Sequence, residues 1–370
     1  MTHKGMVHAP TDSVHTTTEA NDPAWDAFVA SAPGGHHVQT SLWAQVKQVM
    51  GWQAARATVS REGELVGGGQ MLIRQVRRLG KVGYVPKGPV LRYEDDTLCK
   101  QIIHELRALG RQHHVRYLAI QPPDNGAYIA SCLGELGFRT SWIELAPTAT
   151  ILIDVTQDLA TLQGNLSSPV RGSIRRCKRE GVTIREGSAA DLGTFYRLHV
   201  ATSKRQQFVP YPEQYFTTMW RLFEPGGHIT MQIAEYRGEA ISAMILIAFG
   251  TMALGKVFGW TGEHSDRRPN HGVWWNAIKW SKEHGYRCFD MEGIDPDSAR
   301  ALLNGGHLPT AAHETPDFLK IGFGGQVVLN PVAYDYVYNP VLRSAYRVVS
   351  SRRFAEIPTV SRIIDSLRQH

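Results

Sequence analysis

Two carboxylates and a run of cations are the residues of this sequence whose types and spacing favour chemistry. Asp290 and Glu292 stand at the end of a predicted strand, where a carboxylate can accept or orient a proton. Strand-end carboxylates also often cap the following turn, and this structural role stays an alternative. Five cations stand within nine residues, namely Arg171, Arg175, Arg176, Lys178 and Arg179. On a helix they could follow a phosphate backbone, although a solvated helix face is the commoner reason for such a run.

The elements that must position these residues belong to a chain of 370 residues with a net charge of +6. Hydrophobic residues make up 42% and charged residues 20%, which disfavours disorder, collagen-like repeats and coiled coils. This length predicts two domains or one large one. The modest positive charge favours polyanionic partners such as phosphates, RNA or an anionic membrane face, without establishing any of them.

Neither a disulfide framework, a metal site nor a membrane span is predicted. The four cysteines are scattered and form no CxxC pair, which is typical of reduced thiols in a cytoplasmic protein. The 16 histidines form no HxxxH pattern, and we expect neither a metal ion nor a cofactor. Residues 1–22 contain no apolar run and predict a disordered leader. No stretch of about 18 apolar residues occurs.

A unit of the sequence occurs twice. In each copy a glycine-containing turn joins two predicted strands, and a helix then leads into a further strand. The turns at Glu62 and Arg237 are 175 positions apart, and the strands at Arg116 and Arg287 are 171 apart. This order predicts an α+β fold of two tandem acetyltransferase-like (GNAT-like) domains. The predicted divisions are a leader (1–22), a first domain (23–148), a second domain (149–325) and a tail (326–370) that packs on the first domain.

Neither half has the glycine-rich turn with which acetyltransferases hold the pyrophosphate of coenzyme A. The corresponding stretch of the second half, residues 266–273, lacks the spaced glycine pair. The stretch of the first half, residues 93–96, is acidic. We therefore expect the sheet to be kept and the acyl donor to be a different one.

Six segments, in the same order, resemble the Fem family of aminoacyl-tRNA-dependent peptidyltransferases, which build peptidoglycan interpeptide bridges. They include WAQVK (43–47), GPV (88–90), FDMEGI (289–294) and LKIGFGG (319–325). The six segments are 43–52, 82–90, 171–182, 195–208, 269–294 and 318–325. The resemblance implies two acetyltransferase-like domains in tandem, in agreement with the repeat. No long heptad insertion is visible, so we expect no coiled-coil arm.

The resemblance implies an enzyme that moves glycine, alanine or serine from charged tRNA to an amine of a lipid-linked or UDP-linked muramyl peptide. Lys320 would be catalytic and would stabilise the oxyanion of ester aminolysis, although a surface lysine is the structural alternative. Lys47 and Arg205 would bind the diphosphate of the precursor. Asp290 or Glu292 would receive the proton of the amine, unless the donor's own vicinal hydroxyl does so. The substrate-binding residues would be Lys47, Arg205, Tyr211, Tyr215, Phe258 and Phe318.

Other functions stay open. The strand around Lys256 and Phe258 departs from the tyrosine-rich pattern of the family, so the acceptor could be an amine of an antibiotic pathway. A different acyl donor and a binding module without catalysis are further alternatives. Tyr211 and Tyr215 are more commonly found at the edge of a core than in a binding site. We further expect a cytoplasmic monomer that makes peripheral contact with the membrane.

Overall fold

The computed structural model describes residues 12–77, 79–124, 126–141, 145–306, 315–341 and 343–344, and these residues form two units. The first unit comprises the described residues up to 141 together with 331–341 and 343–344. The second unit comprises residues 145–330. Each unit contains its own mixed sheet and its own apolar core, so the predicted α+β class is confirmed.

The first unit is a sheet of eight described strands with helices packed on it. The order across the sheet is β1 (Asp12–Thr17), β2 (Gln53–Arg61), β3 (Glu64–Val76), β4 (Gly80–Val85), β6 (Val115–Ile120), β15 (Tyr334–Val337) and β7 (Arg139–Thr140). Strand β5 (Val90–Leu91) pairs with β3. The helices are α1 (Pro23–Ser31), α2 (Ser41–Gln48), α3 (Asp96–Gln112) and α4 (Ala127–Glu135). The apolar stripe of α3, including Leu98, Ile102 and Leu106, is fully buried, as its helical spacing predicts.

The prediction of a disordered leader is wrong for residues 12–17, and residues 1–11 lie outside the described residues. Strand β1 pairs antiparallel with β2, with Asp12 opposite Arg61. The Asp12 carboxylate accepts a hydrogen bond from Arg61 Nε at 2.8 Å. Because the side chains of β1 are mostly exposed, the strand has no apolar alternation by which its sequence could reveal it.

The second unit is a sheet of seven described strands. Its order is β14 (Gln326–Leu329), β8 (Ala149–Asp154), β13 (Cys288–Asp290), β12 (Met252–Trp260), β11 (Glu239–Phe249), β10 (Ile229–Tyr236) and β9 (Thr183–Gly187). The helices are α5 (Leu159–Asn165), α6 (Ser168–Arg179), α7 (Leu192–Gln206), α8 (Glu213–Phe223), α9 (Pro269–Glu283), α10 (Pro296–Leu303) and α11 (Pro316–Ile321). The continuous apolar run Ile241–Phe249 lies in the central strand β11, which is buried on both faces.

The structure divides the chain after residues 144 and 330, whereas the predicted boundaries lie after residues 148 and 325. Residues 326–329 were predicted to begin the tail, but they form β14, which pairs antiparallel with β8 in the second unit. Of the tail, β15 lies in the first unit, where it pairs with β6 and β7. The sequence missed the position of β14 because its strand pairing joins residues far apart in the chain. Residues 345–370, the remainder of the predicted tail, lie outside the described residues.

One parallel strand pair stands in each sheet, and the two pairs differ in extent. In the first unit β4 pairs with β6 from Lys81 to Val85. In the second unit β12 pairs with β13 only from Met252 to Leu254. Residues 255 and 257–260 of β12 stay paired to β11, and none of residues 255–260 has a partner in β13. The second sheet therefore opens beyond Leu254.

The helices in the described part of the chain are of ordinary length for a globular protein. The longest of these helices, α3, has 17 residues. None of the described helices is both long enough and apolar enough to cross a bilayer.

Candidate active site

A cavity of about 700 Å³ lies in the second unit where β12 and β13 separate. Its wall is formed by the open part of β12, the N-terminal turn of α9, the end of α7 and helix α11. The charged residues that line it are Arg205, Lys256, Arg268, Glu292 and Lys320. A second cavity, of about 850 Å³, lies near the start of β14 and the end of β8 and contains none of the predicted site residues. Of these two cavities, the one at the separated strands is therefore the one that contains predicted site residues.

Lys256 enters the first cavity from a β-bulge. Leu246 of β11 stands opposite Gly255, and Ile245 stands opposite Val257, so Lys256 is the additional residue of β12. A bulge redirects the side chain of the additional residue and disturbs the regular ladder. The Lys256 ammonium forms an ion pair with Glu292, with 2.7 Å between Nζ and Oε1. Both side chains are largely buried, at 15% and 25% exposure.

Glu292 lies in a left-handed turn directly after β13. Its φ angle is 43°, and that of Gly293 is 73°, so two successive residues adopt the region that ordinary side chains disfavour. The Glu292 main-chain N–H donates to Asp290 Oδ1 at 2.8 Å. The Thr150 hydroxyl donates to the same carboxylate oxygen. Asp290 is buried and does not line the cavity, so it holds the turn, whereas Glu292 projects into the cavity.

Lys320 of α11 stabilises this turn through hydrogen bonds to its main-chain carbonyl groups. Its Nζ donates to the main-chain carbonyl oxygens of Glu292 and Gly293, the latter at 2.6 Å. The same Nζ lies 5.8 Å from the centre of the Trp274 ring. Burial lowers the pKa of Lys320, while the charges of Glu292 and Asp317 act in the opposite direction. Because an ammonium group has three donors, one N–H direction is left for a ligand oxygen.

Arg205 is fixed at the rim of the cavity by the end of α7. Its guanidinium stacks over Trp260 at 4.5 Å, and Nη1 donates to the Trp260 carbonyl at 3.2 Å. Helix α7 approaches β12 closely because residue 259 is glycine. A Cβ atom there would lie 2.9 Å from the His199 main-chain nitrogen. Because α7 packs closely on β12, Arg205 near the end of α7 lies at the cavity.

The aromatic residues predicted to bind substrate divide into two groups. Phe258 lines the cavity, where its ring lies parallel to that of Trp274 at 6.3 Å. Tyr211 and Tyr215 stack on each other at 4.3 Å and are not among the described residues that line it. Tyr215 is fully buried, and burial raises the pKa of both hydroxyls. Phe318 is 38% exposed on α11 and also lies outside the cavity lining.

The N-terminal turn of α9 supplies cavity residues that the sequence did not identify as site residues. Arg268 is the N-cap residue, in a left-handed conformation with φ of 58°. Asn270 accepts a hydrogen bond from the Ser242 hydroxyl at 2.9 Å. Burial lowers the pKa of His271 to about 4, so its ring is neutral at pH 7. The proline at position 269, which favours the first turn of a helix, was the available signal.

The cationic residues of α6 do not share one role. Arg175, Lys178 and Arg179 are exposed. Arg171 instead donates from Nη1 to the carbonyl oxygens of Gly164, at 3.0 Å, and Leu166, at 2.7 Å. It therefore satisfies carbonyl groups at the end of α5. Arg176 is partly buried.

Lys47, the other predicted diphosphate ligand, belongs to the first unit, whereas Arg205 belongs to the second. It lies in the last turn of α2, is 9% exposed and places Nζ 5.9 Å from the centre of the Trp43 ring. This side chain is therefore buried against a tryptophan and is not a solvated lysine of a helix surface.

Each half of the chain matches a family model of known proteins. The FemAB family model matches residues 19–131, and the acetyltransferase (GNAT) domain model matches residues 166–298. A protein named lipid II:glycine glycyltransferase from Staphylococcus aureus (strain MRSA252) is 24% identical over 363 residues, which covers 77% of this chain and 85% of that protein.

Solved structures share the fold over nearly the whole length. The crystal structure of FemX superposes with a TM-score of 0.76 at 19% identity, over 91% of this chain and all of FemX. A tandem GNAT protein from the clavulanic acid biosynthesis pathway superposes with a TM-score of 0.54 at 11% identity, over 89% of this chain and 99% of that chain. The predicted tandem acetyltransferase-like fold is thus confirmed. These findings support the resemblance to the Fem family and identify the chain as a transferase.

Proposed function

We propose that the protein transfers an amino acid from aminoacyl-tRNA to an amine of a peptidoglycan precursor by ester aminolysis. The single observation that carries this proposal is the placement of a partly buried cation, Lys320, and a carboxylate, Glu292, on one wall of the cavity. The cation can stabilise an oxyanion, and the carboxylate can bind the ammonium form of the acceptor amine. Glycine is the amino acid that the relatives favour, because they are named lipid II:glycine glycyltransferases. Alanine and serine are the other candidates.

The reaction needs little from the protein beyond position and charge. The acceptor amine attacks the ester carbonyl carbon, and the C–N bond forms as negative charge develops on the carbonyl oxygen. Lys320 donates its remaining N–H to this oxygen, and its two carbonyl partners keep the ammonium from turning away. The bond from carbon to the ribose oxygen then breaks, and this oxygen becomes a hydroxyl by taking up a proton that the attacking nitrogen has lost. Holding the two substrates together supplies a large part of the acceleration.

The donor tRNA binds along the exposed cations of α6. Arg175, Lys178 and Arg179 contact the phosphate backbone, and affinity therefore falls with added salt. Arg171 contributes less, because its guanidinium is engaged with main-chain carbonyls of the 164–166 segment.

The precursor is recognised through its diphosphate by Arg205, and the reaction takes place in the cytoplasm. An arginine can bind a phosphate with two parallel hydrogen bonds, and the stacking on Trp260 orients Arg205 for this purpose. The precursor is lipid-linked or UDP-linked, and with a lipid-linked one the enzyme, acting as a monomer, makes peripheral contact with the membrane.

A transfer assay tests the proposal. The protein is incubated with labelled glycyl-, alanyl- or seryl-tRNA and a UDP-linked muramyl pentapeptide, and the labelled amide is quantified. Pretreatment of the charged tRNA with RNase should abolish transfer, and transfer that survives it would overturn the tRNA dependence. Activity confined to small non-peptidoglycan amines would identify the acceptor as a secondary metabolite. The unusual residues Lys256 and Phe258 in the cavity make this second acceptor class worth including.

A further inference from the structure

The cavity carries four cations and a single carboxylate among the residues that the structure describes. The cations are Arg205, Lys256, Arg268 and Lys320, and the carboxylate is Glu292. An amine acceptor enters such a site as an ammonium ion at neutral pH, where it meets a strongly positive environment. Neighbouring positive charge disfavours the protonated form of an amine. The cation that lies beside the acceptor amine should therefore promote loss of its proton.

Lys256 is the cation closest to the one carboxylate. The ion pair of 2.7 Å is fixed at both ends, by the β-bulge on the side of Lys256 and by the left-handed turn on the side of Glu292. The turn is itself held by the Lys320 ammonium and by the Asp290 carboxylate. Neither partner of the ion pair can therefore withdraw far when a third charge enters.

We propose that Lys256 is a positioning residue that keeps the Glu292 carboxylate aimed at the acceptor amine and promotes loss of the proton from that amine. This inference rests on the proposed function. The acceptor ammonium binds beside the ion pair, donates one proton to Glu292 and attacks as the neutral amine. The C–N bond forms and the bond to the ribose oxygen breaks. As the C–N bond forms, the nitrogen gives up a second proton. One of the two protons passes through Glu292 to the ribose oxygen and the other passes to solvent, so that a neutral amide, a neutral ribose hydroxyl and one proton result.

Other titratable groups face the ion pair. They are Arg205 from α7, Arg268 and His271 from α9, Lys320 from α11, Asp290 from β13, and Tyr211 and Tyr215. Burial keeps His271 neutral and raises the pKa of the two tyrosines, so these three do not change charge between pH 6 and 8. Lys320 is the group whose lowered pKa could produce a similar pH dependence. A Lys320→Arg protein distinguishes a pH dependence caused by Lys320 from one caused by Lys256, because arginine stays charged over the whole pH range of the test.

The test measures kcat and acceptor KM from pH 6 to 9 in the wild type and in Lys256→Met, Lys256→Arg and Lys320→Arg proteins. In Lys256→Met the rising limb of the kcat profile should move up by roughly one pH unit, with kcat at pH 7 reduced about tenfold. Acceptor KM should not rise, because Glu292 then binds the ammonium without competition. Lys256→Arg should restore the wild-type limb, and Lys320→Arg should leave the position of the limb unchanged.

Lys100→Met is the matched control, because Lys100 forms an ion pair of 2.6 Å with Glu135 in the first unit. It should change neither kcat nor the pH profile. A Lys256→Met protein with a raised KM and an unmoved limb would show a structural role only and would overturn the inference.

Binding of the acceptor without tRNA separates this inference from the proposed function. A UDP-linked muramyl pentapeptide with a free side-chain amine should bind Lys256→Met more tightly than the wild type. The same compound with that amine acetylated should bind both equally. Equal binding of the free amine by both proteins would overturn the inference even where transfer is normal. Tighter binding in a protein that transfers nothing would support the ammonium site and overturn only the transfer reaction.

Discussion

The Nζ atom of Lys320 donates to the main-chain carbonyl oxygen of Gly293 at 2.6 Å, across 27 positions of the sequence. This bond joins helix α11 to the turn that carries Glu292 into the cavity. The Lys320 ammonium is thus hydrogen-bonded to the main chain of the turn from which the Glu292 carboxylate projects. Removal of either should affect the geometry of the other.

Replacement of Lys320 by alanine should lower kcat by a factor of about 10² to 10³, the usual cost of losing an oxyanion donor. Single-turnover transfer with saturating substrates measures this effect, and equilibrium binding of each substrate should change little. Lys282→Ala is the matched control, since Lys282 of the same unit also donates to two main-chain carbonyls but lies outside the cavity. Unchanged turnover in Lys320→Ala would remove the oxyanion assignment.

Asp290→Ala should destabilise the fold rather than remove a reacting group. The buried carboxylate accepts hydrogen bonds from Thr150 and from the Glu292 N–H, and the unpaired donors should cost about 1 to 3 kcal/mol. Urea unfolding followed by circular dichroism gives the free energy of unfolding. Asp154→Ala, which removes an exposed local contact with Thr156, should have little effect. A stable Asp290→Ala protein with no activity would instead point to direct catalysis.

The exposed cations of α6 should set the salt dependence of tRNA binding. Replacing Arg175, Lys178 and Arg179 together by glutamine should weaken binding and reduce the slope of log K against log salt by about 2 to 3. Arg171→Gln should leave this slope unchanged and lower the free energy of unfolding, because carbonyl groups at the end of α5 lose their partner. Filter binding at several salt concentrations gives the slopes. A slope equal to that of the wild type in the triple variant would exclude α6 from the tRNA site.

Acid should destabilise the second unit through His199. Burial lowers the pKa of His199 to about 4 from 6.5, and its Nε2 accepts a hydrogen bond from the Tyr211 N–H at 3.2 Å. A lowered histidine pKa means that the unfolded state binds more protons between pH 6.5 and 4, so stability is full above this window and falls as the pH falls through it. From pH 7 to pH 5 this residue should account for a loss of about 2 kcal/mol.

Urea unfolding at the two pH values tests this, with His199→Phe for comparison. Phenylalanine suits the surrounding aromatic cluster but cannot be protonated. The difference between pH 7 and pH 5 should therefore shrink by about the same amount in the variant. An undiminished difference would assign the acid sensitivity to other groups.

The repeat and the fold class could be predicted because they depend on local patterns. Glycine-containing turns, the apolar run Ile241–Phe249 and the helical spacing around Leu98 are each readable from neighbouring residues. Lys320 was found through the resemblance of its segment, and its role stays a prediction. The pairing of Lys256 with Glu292 depends on a register shift between two strands and on a left-handed turn. Neither is encoded by the spacing of residue types, so the charge arrangement of the cavity required the structure.

Strand β15 has a consequence for the synthesis of the chain. Its partners β6 and β7 lie near residues 115–140, but β15 itself begins only at Tyr334. The second unit is contiguous in the sequence and can fold as soon as residue 330 has left the ribosome. The first sheet must wait with an open edge on β6 until residues 334–337 have been translated. A nascent chain that stops before β15 would expose this edge and become a target for aggregation or for proteolysis.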